Sequence, residues 1–268
     1  MKKILLLLAT VSVFVACSRN AITGRKQLAL FGEATLQQQA LTEYQSFLSQ
    51  NKVVNSSANK DAEMVKRVGL RISKAITEYY TQKGLGAELN GYKWEFNLVD
   101  SKDVNAWCMP GGKVVVYTGL LGITQNEAAL AVVMGHEITH AVAHHGNERM
   151  SQGALAQGLE IVGNIATANN PKYNDLFNNI FAPTAQIAVL LPNSRNQEYE
   201  ADHFGLNFAA MAGYNPNEAI PFWQRMAAAS KGQKPPEFLS THPADENRIA
   251  RLKEFMPEAL GFYKPAGK

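Results

Sequence analysis

Hydrophobic positions recur with helical spacing in the first half of the chain. Residues 33–50 form one amphipathic pattern and residues 62–82 form a second, so both segments are predicted to be helices. The apolar positions of the second segment lie three or four residues apart: Val65, Val68, Ile72 and Ile76. Between the two helices, residues 51–61 are polar and rich in turn-forming residues, which indicates a linker.

The hydrophobic period changes from helical to alternating between residues 92 and 119. The stretch YKWEFNLVDS, residues 92–101, alternates like a strand, and KVVVYTG, residues 113–119, is β-branched and ends in glycine. Between them, Pro110 and the two glycines that follow predict a turn. The pattern therefore predicts a small antiparallel sheet.

A capping box marks the start of a central helix. Thr124 and Glu127 have the T-x-x-E spacing in which each side chain satisfies a free backbone N–H at a helix start. The pattern predicts a helix that runs to His145, where Gly146 is suited to end it.

Helices are also predicted for most of the remaining chain. One covers residues 195–211 and is closed by Gly213, while Asn215-Pro216 and Pro243 have the features of two further helix starts. The apolar, glycine-rich segment 153–192 predicts covering helices, with a mobile lid over a site as the alternative. Together the patterns predict a mainly helical α+β fold with one small sheet.

The composition limits the possible classes of function. The chain has 268 residues, enough for one large domain or two small ones, and its formal net charge is only +3. No block rich in lysine or arginine stands out, which argues against a nucleic-acid partner. Composition leaves the oligomeric state open.

The first 17 residues, MKKILLLLATVSVFVAC, have the layout of a secretory signal. Two lysines precede an apolar run over residues 4–16, and a helix of this length spans roughly 20 Å, short of a bilayer core of about 30 Å. The end of the run resembles a bacterial lipobox, with Phe14 in place of the usual leucine. This resemblance implies a signal peptide over residues 1–16 and a diacylglycerol anchor on Cys17. A core helix at the start of the domain is the alternative.

Acylation of Cys17 would attach the mature chain to a membrane. Ser18 stands where some bacteria use an aspartate for inner-membrane retention, which favours an outer-membrane lipoprotein of the bacterial cell envelope, facing the periplasm. Since Cys108 is the only other cysteine, acylation of Cys17 would leave no pair for a disulfide.

The central helix carries the motif HEITH, a candidate metal site. His136 and His140 lie four residues apart, so their imidazoles share one helix face and can bind a single zinc ion. Glu137 lies beside the first ligand, where its carboxylate can reach a water at the metal. This is the H-E-x-x-H pattern of zinc hydrolases. A structural histidine pair is the alternative.

A catalytic zinc needs a third protein ligand, and the downstream stretch EYEAD offers carboxylates. Glu198 and Asp202 lie four residues apart on one predicted helix face. Glu198 can complete a set of two histidines and one glutamate, and Asp202 can bind the second nitrogen of a ligand histidine. The alternative is a solvated acidic face, because Glu200 lies between them.

Three sequence blocks carry a family resemblance. HEITH, SRNQEYEADHFG and STHPADENRI occur in the order found in HtpX-like zinc metallopeptidases, which are relatives of the CAAX prenyl proteases. NAWCMPGGKVVVYTGLL resembles the edge-strand region of that family, and AITGRKQL resembles the start of its lipoprotein members. The resemblance implies a zincin-type fold with an HExxH active-site helix. Unlike the HtpX and prenyl protease branches, the chain has no predicted spanning helix, which argues against prenylated or intramembrane substrates.

The resemblance also implies roles for individual residues. One zinc ion per chain would be held by His136, His140 and Glu198. Glu137 would be the general base and acid, and Asp202 would orient a ligand histidine. The strand after the Pro-Gly-Gly turn would bind an extended substrate through its free backbone groups. That strand comprises Val114, Val115, Val116 and Tyr117.

The other histidines receive different predictions. His144 and His145 are expected to be cations or hydrogen-bonding groups near the C-terminus of the central helix, and not ligands. His203 is predicted to lie on the surface. His242 precedes Pro243, which predicts that it caps a helix. The family resemblance implies that His242 also faces the zinc and donates to the oxyanion of the transition state.

These observations predict a lipid-anchored, zinc-dependent endopeptidase that hydrolyses misfolded or envelope proteins in the periplasm. The alternative is a chaperone or outer-membrane assembly factor with a latent protease site. The predicted division of the chain has three parts. They are a signal peptide at residues 1–16, an N-terminal helix and linker at residues 17–60, and a zinc metallopeptidase domain at residues 61–268.

Overall fold

The computed structural model describes residues 17–156, 171–181, 194–230, 236–242 and 247–265. The helices in these ranges are α1 (Glu33–Gln50), α2 (Lys60–Gln82), α3 (Thr118–Thr124), α4 (Glu127–Val142), α5 (His145–Ala156), α6 (Pro171–Phe181), α7 (Ser194–Met211), α8 (Ala219–Ala229), α9 (Phe238–Thr241) and α10 (Arg248–Phe262). The strands are β1 (Cys17–Arg19), β2 (Lys26–Leu28), β3 (Val53–Val54), β4 (Glu95–Val99), β5 (Ala106–Met109) and β6 (Lys113–Tyr117). Short 3₁₀ turns cover Gly86–Leu89 and Pro216–Glu218.

The predicted fold class is confirmed, because the described residues are mostly helical with small sheets. The larger sheet has the strand order β3-β4-β6-β5. It differs from the predicted antiparallel sheet in one pairing, since β4 and β6 run parallel. The reason is strand β5, which was not predicted because it lies in a turn-rich stretch of the sequence. It forms an antiparallel hairpin with β6 and occupies the side of β6 away from β4.

Helix α4 is the centre of the main hydrophobic core. All of its residues from Ala129 to Val142 are buried, because α2, α7 and the sheet surround it. The helix meets α7 at two glycines, and a Cβ atom on Gly135 would lie 2.5 Å from the backbone oxygen of Gly205. Only residues without side chains permit this approach, which brings the backbones of α4 and α7 into contact.

Both ends of α4 differ from the prediction. The N-cap is Asn126, whose side-chain oxygen accepts a hydrogen bond from the N–H of Ala129, while Thr124 belongs to α3. At the other end the helix stops at Val142, and His144 has a φ of 54°, the left-handed conformation. The chain therefore reverses at His144, and α5 begins at the next residue. Gly146, the predicted stop, lies inside α5.

The N-terminal region packs against the rest of the molecule. Strands β1 and β2 form a two-stranded hairpin that contacts α5, and α1 contacts β5 and β6. A second hydrophobic cluster joins α1, the sheet, α5 and α6, and it includes Phe31, Tyr44, Trp107, Met150 and Phe177. The predicted lid segment is described only up to Ala156 and over Pro171–Phe181, so most of that prediction lies outside the described residues.

Several helix boundaries predicted from the sequence are confirmed. Helix α1 spans the predicted residues, Gly213 follows α7 with a φ of 82°, and Asn215 caps the turn that begins at Pro216. The predicted signal peptide and Pro243 lie outside the described residues. In the part of the chain that is described, no helix combines the length and apolarity needed to cross a bilayer.

Candidate metal centre

Helix α4 places two histidines on one buried face. The Nε2 atoms of His136 and His140 lie 3.1 Å apart, and both side chains are almost completely buried. The spacing of four residues in one helix produces this convergence, since it brings successive side chains to the same face one turn apart. Two imidazole nitrogens therefore point to a common position.

Helix α7 brings Glu198 to the same position. One carboxylate oxygen lies 3.4 Å from Nε2 of His136, and the other lies 3.3 Å from Nε2 of His140. The close approach of the two helices at Gly135 and Gly205 allows a side chain as short as glutamate to reach across. The three side chains predicted as ligands are thus brought together by tertiary packing.

His242 reaches the same position from the short helix α9. Its Nδ1 atom lies 3.1 Å from Nε2 of His136 and 3.0 Å from Oε2 of Glu198. His242 follows the last residue of α9 and donates its backbone N–H to Phe238. His242 therefore ends a helix, and its predicted position before a helix start stays a prediction, because Pro243 lies outside the described residues. Its predicted role as an oxyanion donor stays a prediction.

The donor set fits a zinc ion. His136, His140, Glu198 and His242 each offer one ligand atom, and these atoms all lie within 4.8 Å of one another. Imidazole nitrogen and carboxylate oxygen are ordinary zinc ligands, and two histidines with one glutamate form a known catalytic set. All four side chains are withdrawn from solvent, which suits a bound cation better than unpaired polar groups.

The surrounding charges and burial favour the cation-binding state of His140 and Glu198, but not that of His136. Burial holds the pKa of His140 well below its ordinary value, so this imidazole is neutral. Burial opposes ionisation of Glu198, but His242 and His140 outweigh it and hold the pKa of this carboxyl well below its ordinary value. Burial alone would lower the pKa of His136, whereas Asp202 and Glu198 raise it to about 9. Metal binding at neutral pH would therefore release a proton from His136.

Glu137 lies beside the ligands without being one of them. Its side chain is buried, and its Oε1 atom forms no hydrogen bond with the described residues and lies 3.3 Å from Nε2 of His242. Burial raises the pKa of Glu137 above the ordinary value, and His242 offsets part of the increase. A carboxyl group with a raised pKa is suited to accept a proton and later return it.

Asp202 and Arg248 support the first ligand. Oδ1 of Asp202 lies 3.0 Å from Nδ1 of His136, the ring nitrogen that faces away from the other ligands. Nη2 of Arg248 donates to the same oxygen at 2.7 Å, and its guanidinium stacks 3.5 Å from the ring centre of Trp223. Asp202 therefore has the contact predicted for it. The sequence did not assign Arg248, although it lies in the quoted block STHPADENRI.

His145 is a hydrogen-bonding group beyond the end of the central helix, as expected, and its contact with Glu200 argues against the alternative of a solvated acidic face. His145 is fully buried, and its Nδ1 atom lies 2.9 Å from Nδ1 of His140. Its Nε2 atom lies 2.9 Å from Oε2 of Glu200, which is therefore not part of a solvated acidic face. The sequence did not reveal this contact, because His145 lies five positions after His140 and the left-handed turn at His144 brings the two together.

The other two histidines outside the ligand set have carboxylate partners. His144 lies 3.1 Å from Glu33 and 3.5 Å from Glu88, and these carboxylates raise its pKa to about 9 despite the opposing effect of burial. His203 lies 2.8 Å from Glu258 and is partly exposed. Neither imidazole approaches the ligand set.

The predicted substrate strand also needs correction. Strand β6, residues 113–117, is paired with β4 on one side and with β5 on the other, so its backbone groups are already used. In the described residues, no strand pairs with the outer side of β5. The carbonyl of Val104 accepts a hydrogen bond from Phe238 of α9, and that of Asn105 accepts one from Tyr117 of β6. Because the direction alternates, the backbone groups of Ala106 and Cys108 face outward.

The outer side of β5 lies next to the candidate metal centre. The pKa of the Cys108 thiol is raised well above its ordinary value by burial, and the nearby charge of Glu137 adds to the increase. The hydrogen bond between Val104 and Phe238 joins the start of this strand to the helix that presents His242. The open edge and the buried carboxylate thus border the same region.

Comparisons with known proteins agree with this geometry. The sequence profile of Peptidase family M48 matches residues 71–256. The mitochondrial metalloendopeptidase OMA1 of Schizosaccharomyces pombe is 36% identical over 192 residues, covering 71% of this chain and 53% of that protein. Human mitochondrial metalloendopeptidase OMA1 is 30% identical over 263 residues, covering 95% and 48%. A putative beta-barrel assembly-enhancing protease of Vibrio cholerae is 32% identical over 198 residues, covering 67% and 39%. The chain therefore spans about half the length of these relatives, or less.

Proposed function

The chain belongs to peptidase family M48, and from this membership and the geometry of the site we propose that it is a zinc-dependent endopeptidase. The observation that carries the proposal is the convergence of His136, His140 and Glu198 on one position, with the buried carboxylate of Glu137 beside it. A metal-binding protein without catalytic activity has no need for a proton acceptor at that place. Metalloendopeptidases among the relatives support the same reaction class.

Zinc bound by His136, His140 and Glu198 would supply a Lewis acid that polarises the scissile carbonyl and acidifies the attacking water. The other steps belong to the protein. Glu137 accepts a proton from the attacking water on its carboxylate and then delivers it to the nitrogen of the leaving amine. Burial of Glu137 supports this role, because it raises the pKa and brings it closer to neutral pH.

We propose that peptide substrates bind in extended form along the outer side of β5. The outward backbone groups of Ala106 and Cys108 can form a ladder with a substrate strand, as in other proteins that bind peptides by strand addition. Backbone recognition does not depend on substrate sequence, which suits a peptidase that acts on misfolded or envelope proteins.

We also propose that Cys17 is acylated and holds the enzyme at a bacterial membrane, with the peptidase in the periplasm. The support is the sequence FVAC after an apolar run, together with the similarity of AITGRKQL to the lipoprotein branch of HtpX-like peptidases. The relatives are named from different settings, since the OMA1 proteins are called mitochondrial and the Vibrio protein is named for beta-barrel assembly.

A second candidate function is a chaperone or assembly factor with a latent protease site. The position of His242 favours it, because Nδ1 of this residue points to the same place as the three ligands. A catalytic zinc needs one open position, and a fourth protein donor would fill it. In that case proteolysis would require His242 to move away.

Cleavage of an unfolded protein such as casein tests the main proposal. The wild type should cleave it with one zinc bound per chain, and a chelator should abolish cleavage until zinc is restored. Glu137→Gln should keep its zinc and lose roughly 10²–10⁴-fold in kcat, since it retains the size of the side chain but not its basicity.

Two results would oppose the proposal. Undiminished cleavage by Glu137→Gln would remove this carboxylate from the mechanism. A wild type that binds zinc and suppresses aggregation of unfolded proteins, but never cleaves them, would favour the chaperone. His203→Ala is the matched control, because this histidine contacts Glu258 and not the metal centre.

A further inference from the structure

A series of polar contacts connects the second ligand histidine to the N-terminal hairpin. Nδ1 of His140 lies 2.9 Å from Nδ1 of His145, and Nε2 of His145 lies 2.9 Å from Oε2 of Glu200. Glu200 in turn accepts hydrogen bonds from Nε of Arg25 at 2.6 Å and from Nη2 at 3.1 Å. The last residue in this series of contacts is Glu148, whose two carboxylate oxygens accept hydrogen bonds from the same guanidinium at 2.6 and 2.7 Å.

Binding of zinc to His140 would determine which atom donates and which accepts in each of these hydrogen bonds. If His140 binds zinc through Nε2, its Nδ1 carries the proton and donates to Nδ1 of His145. His145 then carries its own proton on Nε2 and donates to the carboxylate of Glu200. Glu200 needs no proton, because Arg25 supplies positive charge. The contacts are therefore those expected around a neutral, metal-binding imidazole.

The arrangement parallels the support of the first ligand. His136 contacts Asp202, and Asp202 accepts a hydrogen bond from Arg248. Hydrogen bonds thus connect each ligand histidine of α4 to a carboxylate, and each of these carboxylates accepts hydrogen bonds from an arginine. For His140 the path contains one extra imidazole, and the arginine comes from more than a hundred residues earlier in the sequence.

The hairpin holds Arg25 in a defined position. The side chain of Asn20 donates to the carbonyl of Ala143 at 2.6 Å, directly beyond the end of α4. Its oxygen accepts from the backbone N–H groups of Ile22 and Thr23, which shapes the turn before Arg25. The hairpin is therefore attached to the C-terminal end of the helix that carries the ligands.

Charge makes Arg25 difficult to replace. Its guanidinium lies between two carboxylates, of which Glu148 is only 2% exposed and Glu200 is 14% exposed. Without Arg25, two negative groups would remain close together with little solvent, and Glu200 would lose the geometry that orients His145. Planar, two-pronged binding of this kind is specific to arginine, so lysine cannot reproduce it.

We infer that Arg25, Glu200 and His145 position His140 for zinc, so the N-terminal hairpin is a working part of the metal centre. This inference rests on the proposed zinc site. Arg25 and Glu200 are positioning residues, since they act on the metal only through His145 and His140. Loss of either should weaken zinc binding by roughly 10–100-fold, the usual effect of removing a group that orients a metal ligand.

The test measures zinc affinity by competition with a chelator of known affinity, in the full mature chain. Arg25→Gln and Glu200→Gln are the test variants. Arg19→Gln is the control in the same hairpin, because Arg19 is exposed and its side chain donates to the carbonyl of Gly24, away from the metal centre. Glu258→Gln is the control for a carboxylate that contacts a histidine of α7, in this case His203.

Two further readouts separate positioning from simple stability. Cobalt substituted for zinc has visible absorption that reports ligand geometry, and it should change in Arg25→Gln and Glu200→Gln but not in the controls. Thermal unfolding of the metal-free proteins shows whether a variant is folded. Arg25→Lys serves if Arg25→Gln fails to fold, and it should bind zinc more weakly than the wild type because it lacks the two-pronged contact.

The outcomes are distinguishable. Test variants that are folded but bind zinc within about twofold of the wild type, with unchanged cobalt spectra, would overturn the inference and leave the hairpin a structural role. A wild type that binds no zinc would overturn both the inference and the proposed function. Weaker zinc binding in the test variants, with controls unchanged, would support the inference even if natural substrates remain uncut.

Discussion

At the scale of single residues, His242 lies between the candidate proton acceptor and the candidate ligands. Its Nε2 atom lies 3.3 Å from Oε1 of Glu137, and its Nδ1 atom lies 3.1 Å from Nε2 of His136. An imidazole has two nitrogens, so one residue can contact both the proton acceptor and the metal position. In this structure the contact to the ligand side is the closer of the two.

His242→Ala is expected to weaken zinc binding on the order of tenfold or more, because it removes the fourth donor while three ligands remain. Peptide hydrolysis should persist or increase, since the open position becomes free for substrate. Zinc affinity and kcat should be measured together on the folded variant, with His203→Ala as the control. Unchanged zinc affinity with a 10²–10³-fold lower kcat would instead support the role of oxyanion donor.

At the scale of helices and strands, two contacts create the site. The crossing of α4 and α7 at Gly135 and Gly205 brings Glu198 to the histidines, and the left-handed residue His144 folds α5 back against α4. Both features depend on the backbone and not on the chemistry of the ligands.

Gly205→Ala tests the helix crossing. Its Cβ atom would lie 2.6 Å from the backbone nitrogen of His136, so α4 and α7 must separate. We expect a loss of about 1–3 kcal/mol in the free energy of unfolding, as for other overpacked cores, together with weaker zinc binding. Gly122→Ala is the control, because nothing lies within 4 Å of its Cβ position, and helix propensity should make it more stable by about 0.5–1 kcal/mol. Equal stability and zinc affinity in the two variants would contradict a tight crossing.

Cys108→Pro tests the substrate strand. Proline removes the outward N–H of this residue without disturbing the pairing of β5 with β6. The loss of one backbone hydrogen bond to substrate should raise KM about tenfold at unchanged zinc content. Steady-state kinetics on a short peptide would measure this, and Cys108→Ala should behave like the wild type because it keeps the N–H. If the alanine variant is impaired equally, the thiol and not the backbone is the important group.

The sequence predicted those parts of the site that depend on spacing within one helix. His136 and His140 share a turn of α4, and Glu198 and Asp202 share a turn of α7, so the period of the helix was sufficient. It did not predict contacts that depend on a change of direction or on distant packing. His145 meets His140 because His144 adopts positive φ, a conformation that is uncommon for any residue other than glycine.

For the fold as well, the sequence predicted the elements with a clear hydrophobic period and misplaced or missed others. Helices with clear periodicity, such as Glu33–Gln50, were predicted within a few residues. The buried helix α4 has apolar residues on every side, so its ends had to be inferred from cap residues, and both were misplaced. Strand β5 was missed because its four residues are followed by a Pro-Gly-Gly turn that dominates the local pattern.

At the scale of the whole molecule, the N-terminal hairpin joins the predicted lipid anchor to the peptidase. Strand β1 begins at Cys17 and pairs with β2, and the hairpin is attached to α4 through Asn20 and to α5 and α7 through Arg25. The proposed anchor site at Cys17 and the candidate metal centre are therefore linked through one small hairpin.

Cys17→Ala should abolish lipid labelling and release the protein from the membrane fraction, since the proposed acyl chains would hold it there. Zinc content and thermal stability should remain unchanged, because Cys17 takes part in the hairpin through its backbone pairing with Leu28. Fractionation of cells that express each variant would measure the effect, with Cys108→Ala as the control for loss of a thiol. A variant that stays with the membranes as the wild type does would contradict the lipoprotein proposal.

The short distance between Cys17 and the folded domain would limit how far the active site of an acylated enzyme could move from the membrane. A flexible tether of n residues lets a domain explore roughly 5–6 Å × √n around its anchor. Here the first strand starts at the cysteine itself, so an acylated enzyme would have almost no tether. Its active site would stay within a thin layer above the bilayer, and encounters with substrates would depend on lateral diffusion in two dimensions. Height above the membrane, in addition to unfolded structure, would then decide which chains are cut.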